Sequence, residues 1–328
     1  MGFSFWDWVK KSIQVSRPLF WLNVAIPVLW VIILLEREAT WTEFWLWFIL
    51  LFPYNFFLHA VNDYYDYESD KKNPRKGGVE GALLPKAIVA RLAWWSVVVI
   101  IFATALPSPG WDWWTRGAWL IFLFISGAYS MPPFRFKSRP VLDGLSNFHY
   151  AGGFFIAWFA VRDSLTEPQF FSFILFTMVF CLWAMAANWL TGIVDRIHDK
   201  EAGITTTAVA WGQNVTARVS WIFFIIAAAL SWYGGGWLIA LGFMPYIFLC
   251  YSAARANEAK LRRVYQFFWG WNVLFGFAIS IGLLSFRPEY TWWYYGNYFV
   301  ASLLLVGIGI LISEWDKIRS RYIAKNVV

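Results

Sequence analysis

Long apolar runs separated by short polar loops organise this chain. A membrane-spanning helix needs about 20 mostly apolar residues. Ten stretches approach that length: 18–35, 42–61, 87–106, 116–132, 146–161, 170–194, 214–233, 237–254, 264–285 and 293–313. The fourth and fifth are short, and only Gly234, Gly235 and Gly236 separate the seventh from the eighth. Residues 1–17 lack an apolar core followed by a small-residue cleavage site, so they do not read as a cleavable signal. Trp6, Val9 and Ile13 share a helical face opposite Lys10 and Lys11, the pattern of an interfacial helix ahead of the first span. The pattern predicts an all-α, polytopic transmembrane helical bundle forming a single integral membrane domain over residues 1–328.

Composition agrees. The chain is 59% hydrophobic and only 14% charged, where a soluble domain carries about 25% charged residues. Basic residues then set the orientation. With both termini cytoplasmic, 23 Lys and Arg fall inside and four (Arg37, Arg116, Arg162 and Arg287) outside, as the positive-inside rule requires. This predicts a multi-pass protein of the cell membrane. The net charge of +7 could suit a nucleic-acid backbone, but its carriers sit in short loops between spans, so no nucleic-acid partner is expected. Cys181 and Cys250 lie within apolar runs and form neither a disulfide framework nor a metal motif.

Two acidic segments carry the candidate chemistry. Asn62-Asp63-Tyr-Tyr-Asp66-Tyr-Glu-Ser-Asp70 begins where the second span ends, and Asp195-Arg-Ile-His-Asp199 leaves the sixth. If each helix continues, Asn62, Asp66 and Asp70 recur every fourth residue with Asp63 beside them, and Asp195 and Asp199 stack one turn apart. Asn188 and Thr191 share the latter face further into the membrane. Stacked like charges destabilise a helix by about 0.2–0.5 kcal/mol per pair, so a counter-cation is expected. Oxygen-only donors favour Mg²⁺ or Ca²⁺, and Mg²⁺ uses one or two carboxylates together with substrate phosphates. Two such segments on one membrane face can hold metal ions between them and grip a diphosphate. An ion-coupled transporter is the competing class, but transport sites lie near the midplane and these acids lie at the cytoplasmic edge.

NDYYDYESD and DRIHD resemble the NDxxDxxxD and DxxxD signatures of the UbiA superfamily of intramembrane prenyltransferases. YSMPPFRFKSRP (129–140) resembles that family's loop after the fourth helix, and SRP (16–18) the segment before its first. The resemblance runs from about residue 16 to 285. It implies a bundle of about nine or ten spans with a lateral cavity, in which 293–313 would be an additional span. It also implies Mg²⁺ held by Asn62, Asp63, Asp66, Asp70, Asp195 and Asp199. Asp66, Asp70, Asp195 and Asp199 would carry catalysis, and Asn62, Arg17, Arg135 and Lys137 would bind the diphosphate. NDYYDYESDKKNPRKGGVEGALLP and DKEAGITTTAVAWG look most like lycopene elongases of C50 carotenoid synthesis.

The implied donor is dimethylallyl diphosphate or a longer prenyl diphosphate. The implied acceptor is lipophilic, with the end of lycopene first and an aromatic quinone precursor or another lipid as the alternative. The loop 71–86, with Pro74, Gly77, Gly78 and Gly81, can act as a lid or as a plain connector. The 25 Trp and 32 Phe can face a carbocation, although interfacial belts use the same residues. His198 is expected to be solvated or salt-bridged.

Overall fold

The computed structural model describes residues 4–35, 39–71, 82–105, 111–234, 236–285 and 292–326. Among them every regular element is helical. The chain opens with α1 (Phe5–Val15), α2 (Trp21–Leu34), α3 (Trp41–Leu51), α4 (Pro53–Tyr65), α5 (Tyr67–Asp70) and α6 (Lys86–Ala105). There follow α7 (Trp113–Ala128), α8 (Leu142–Leu145), α9 (His149–Val161), α10 (Glu167–Glu201) and α11 (Thr207–Tyr233). The last four are α12 (Trp237–Gly242), α13 (Met244–Ala254), α14 (Glu258–Ser285) and α15 (Trp292–Asn326). Arg37, Lys72, Arg75, Lys76 and Arg287, and residues 72–81 of the expected lid, lie outside the described residues.

All ten expected spans are helical, but two differ in kind. Among the described residues, seven helices or continuous helix pairs are long and apolar enough to cross a membrane, or eight if α1 and the helix after it, bent by 51°, count as one. The fourth and fifth segments give only α7, of 16 residues, and α9, of 13. Apolar character misreads both helix boundaries at the loop end of this hairpin. Pro132 and Pro133 cannot continue α7, and Ser146–Phe148 forms a 3-10 turn. That turn's side chains are satisfied by backbone carbonyls: Asn147 Nδ2 donates to Ala184 O of α10 at 3.0 Å and Ser146 Oγ to Leu142 O at 2.5 Å.

The helices divide between two compact units, the first comprising residues 1–29, 39–111 and 292–328 and the second 30–38 and 112–291. In the first unit the second span bends at Phe52, where Pro53 opens α4. Asn55 Nδ2 donates to Leu50 O (2.7 Å) and Leu51 O (2.9 Å), satisfying carbonyls beside the break. Phe56, Ala60, Leu92, Ala93 and Val15 pack together, joining α4 and α6 to the end of α1. α1 itself is capped by Ser4 and Asp7 in a reciprocal box. The additional span, α15, belongs to this unit. Its Ser302 accepts from Trp47 Nε1 at 3.0 Å, and its Gly309 meets Pro18 so closely that a Cβ there would lie 2.9 Å from the ring.

The second unit packs α11, α13 and α14 around Phe224, Phe243, Tyr246, Phe268 and Phe275, against Leu190 and Ile193 of α10. Tyr246 donates its hydroxyl to Asn272 Oδ1 at 2.8 Å, so this aromatic core leaves the phenol satisfied. α11 breaks at Gly212 (φ 75°). Gln213 Nε2 bridges from the break to Ala253 O and Ala256 O, and the apolar span resumes beyond it as expected from 214. At the far end of the α7–α9 hairpin Arg162 pairs with Asp112. The guanidinium, with Thr115 adding, holds the Asp112 carboxyl well below the usual carboxylate range.

Candidate active site

The first acidic segment lies in the first unit. α4 ends at Tyr65, and Asp66 leaves helical geometry at φ −98°, ψ 2° before α5 resumes for four residues. The helix is therefore broken, not continuous as expected. The ladder nevertheless survives, since Asp66 N donates to Asn62 O (2.9 Å) and Asp70 N to Asp66 O (2.8 Å). Asn62, Asp66 and Asp70 thus stay in register. Asp63 and Asp66 are buried, Asn62 and Asp70 half-buried, whereas Tyr64 and Glu68 are exposed. Glu68 pairs instead with Lys86 at 3.3 Å.

Arg17 reaches this segment from the turn between α1 and α2. It has a left-handed backbone (φ 52°) between the Ser16 cap and Pro18, a region that few non-glycine residues adopt. Ser16 holds the turn: its carbonyl and hydroxyl both accept from Trp21 Nε1, at 3.2 and 3.1 Å. Arg17 Nη2 then donates to Asp63 Oδ1 at 2.5 Å, with 12% and 4% of the two side chains exposed. His59 is buried one turn earlier, with Phe20 edge-on at 5.6 Å.

The second acidic segment and the basic loop lie together in the second unit. α10 has 35 residues, or about 52 Å at the helical rise, far more than the roughly 30 Å hydrocarbon core. Its last turns, with Asp195 and Asp199, can therefore extend into the interface. Both acids are half-buried, while His198 is exposed and lies 3.9 Å from Glu201, as expected of a solvated or salt-bridged histidine. Asn188 Nδ2 donates to Tyr129 OH at 3.4 Å, and Lys137 N to Tyr129 O at 3.1 Å, so the tyrosine links α10 to the basic loop. In that loop Arg135 has φ 39° and Lys137 sits in a 3-10 turn. The Lys137 Nζ and Arg135 Nε atoms are shielded from solvent although their side chains are only half-buried.

α10 stops in a Schellman arrangement. Gly203 adopts φ 71°, Gly203 N donates to Lys200 O (3.1 Å) and Ile204 N to Asp199 O (2.8 Å). Thr206 then caps α11 through Val209 N and also donates to Asp199 Oδ2 at 3.4 Å. Nothing lies within 4 Å of a Cβ built on Gly203, so only backbone strain opposes a side chain there. Gly203→Ala is expected to lower stability by about 1 kcal/mol while leaving the core intact. Thermal unfolding of purified protein in detergent checks this, and an unchanged midpoint would refute the strain argument.

Arg17, Asn62, Asp63, Asp66 and Asp70 thus share the first unit, and Arg135, Lys137, Asp195 and Asp199 the second. Among the described residues no three His, Cys, Asp or Glu side chains gather closely enough to hold a metal on protein ligands alone. The available donors are oxygens of Asp and Asn, which fits Mg²⁺ completing its shell with phosphate and water. Sequence reasoning did not single out Asp143, Trp189 or Tyr129, and it found no role for Thr207. A run of threonines before an apolar helix was a legible cap signal; the others had none.

The sequence matches the model of the UbiA prenyltransferase family over residues 24–273. It is 33% identical over 296 residues to the lycopene elongase/hydratase of Corynebacterium glutamicum, covering 84% of this chain and 97% of that protein. The lycopene elongase/hydratase of Halobacterium salinarum is 32% identical over 276 residues, covering 82% and 94%. Among solved structures the fold is similar to a UbiA homolog from Archaeoglobus fulgidus bound to DMAPP and Mg²⁺, with a TM-score of 0.57 at 18% identity, covering 93% and 99%.

Proposed function

Because this chain belongs to the UbiA prenyltransferase family, we propose that it transfers a dimethylallyl group from its diphosphate to the end of lycopene, from the cytoplasmic side of the cell membrane. The observation that carries the acceptor is the identity to lycopene elongase/hydratases across nearly their whole length. The oxygen-only donors of the two acidic segments, and the shielded Lys137 ammonium, support the diphosphate chemistry.

In this reading Asn62, Asp66 and Asp70 from one segment and Asp195 and Asp199 from the other hold Mg²⁺. When bound, Mg²⁺ neutralises charge on the departing pyrophosphate. Arg135 and Lys137 bind the diphosphate oxygens and stabilise the charge that develops as the C–O bond breaks. Asp63 we assign to pairing with Arg17, itself the expected diphosphate ligand, in place of the metal role expected from the sequence. The C–O electron pair leaves with pyrophosphate. The dimethylallyl cation then accepts the π electrons of lycopene's terminal double bond, forming a C–C bond and a tertiary cation. Water captures that cation and releases a proton, or the cation loses a proton directly. An alkene acceptor needs no base for the addition, whereas a phenol does.

Expression in a lycopene-accumulating host tests the acceptor. Pigments carrying one and two added five-carbon units should appear, and isolated membranes should stop making them when EDTA removes Mg²⁺. Unchanged lycopene, with folded protein and ample dimethylallyl diphosphate, would overturn the elongase. Prenylation of a supplied hydroxybenzoate by the same membranes would point to the quinone-precursor reading.

A further inference from the structure

The second unit contains a buried carboxylate that the chemistry above does not use. Asp143, in α8, is 5% exposed. Its Oδ2 accepts from Thr207 N at 2.7 Å; its Oδ1 accepts from Gly144 N (2.8 Å), Trp189 Nε1 (3.2 Å) and the Thr207 hydroxyl. Both oxygens are thus engaged by the chain's own donors, which leaves this acid unsuited to metal binding.

The partners are placed on either side of the second acidic segment. Trp189 lies on α10 ahead of Asp195, and Thr207 opens α11 just after Asp199 and its Schellman stop. Asp143 itself follows the loop that carries Arg135 and Lys137, and its backbone N–H donates to Arg139 O at 3.0 Å. The same Thr207 hydroxyl also accepts from Val141 N at 2.7 Å. Val141 is β-branched yet has φ 70°, ψ −47°. Such a backbone is strained and persists only where surroundings over-determine it. Gly144 permits the close approach, since a Cβ there would lie 2.0 Å from Trp189 Nε1.

We propose that Asp143 is a positioning residue that fixes the Arg135–Lys137 loop against the Asp195–Asp199 end of α10, so that one diphosphate meets both. This rests on the diphosphate reading of those residues given above. A link serving only stability would leave head-group binding unchanged once the protein is folded, whereas a positioning link sets the affinity for the donor.

The test uses full-length protein in detergent, with donor KM and the inhibition constant of inorganic pyrophosphate as readouts. Thr207→Val removes the shared hydroxyl at nearly constant shape, Thr207→Ser restores it, and Asp143→Asn keeps one acceptor oxygen. Thr207→Val and Asp143→Asn should raise both constants by about tenfold, with acceptor KM unchanged and Thr207→Ser near wild type. Lys137→Ala is the reference. If Lys137→Ala weakens donor binding and Thr207→Val does not, the positioning role is overturned while the diphosphate reading stands. A Thr207→Ser protein as impaired as Thr207→Val also overturns the role. If Lys137→Ala itself leaves both constants unchanged, the diphosphate reading fails and the inference with it.

Discussion

Asp66→Asn should lower kcat/KM for dimethylallyl diphosphate by about three orders of magnitude without unfolding the protein. Asp66 is buried at the break between α4 and α5 and shares a ladder with Asn62 and Asp70. Asparagine has nearly the same shape and keeps one carbonyl oxygen, so the local backbone bonds are not disturbed. What it removes is a full negative charge from the donors assigned to Mg²⁺. Metal-derived stabilisation of transition-state charge amounts to several kcal/mol, and about 4 kcal/mol corresponds to about 10³ in rate. The Mg²⁺ concentration for half-maximal activity should rise in parallel. Glu68→Gln is the control, because Glu68 is exposed and paired with Lys86 outside the ladder; its activity should stay within about twofold, as for most surface changes. Single-turnover consumption of labelled donor, on protein shown to elute as the wild type does, measures both. An Asp66→Asn enzyme within tenfold of wild type would remove this segment from the metal site.

What could be read ahead of the coordinates follows from periodicity. Asn62, Asp66 and Asp70 are legible because helix geometry puts every fourth residue on one face, and that register survives the break at Asp66. The charge asymmetry of the loops and the apolar runs made the helical bundle legible in the same way. The fourth and fifth spans come out short, as expected, and their loop-side ends fall a few residues from where they were read because apolar residues around Pro132 and Phe148 look alike whether they continue a helix or leave it. Asp143 was invisible for a different reason. A single acid in a loop has no period, and the groups that give it meaning are 46 and 64 residues away in sequence. The Arg17–Asp63 pair, 46 residues apart, was hidden likewise; each partner was legible only as a candidate ligand, not as the other's counter-ion.

That pair supports the second large effect. Asp63→Leu alone should destabilise the protein by about 3–5 kcal/mol, the usual result of stripping one partner from a buried ion pair. The Arg17 side chain is only 12% exposed, so the loss of this carboxylate takes a counter-charge from a cation largely shielded from water. Replacing both partners, Asp63→Leu with Arg17→Met, removes the buried cation as well and should recover most of the loss, because an apolar pair of similar volume is often as stable as the ion pair it replaces. Detergent-solubilised membrane proteins commonly unfold irreversibly, so the half-life of inactivation at fixed temperature is the sound measurement. The order expected is wild type and the double variant long-lived, Asp63→Leu short. Kinetics then separate structure from chemistry: if Arg17 also reaches the diphosphate, the double variant will be durable yet bind the donor more weakly, with acceptor KM unchanged. A double variant as short-lived as the single one would mean that Asp63 is needed for something other than balancing Arg17, and its assignment away from the metal would fail.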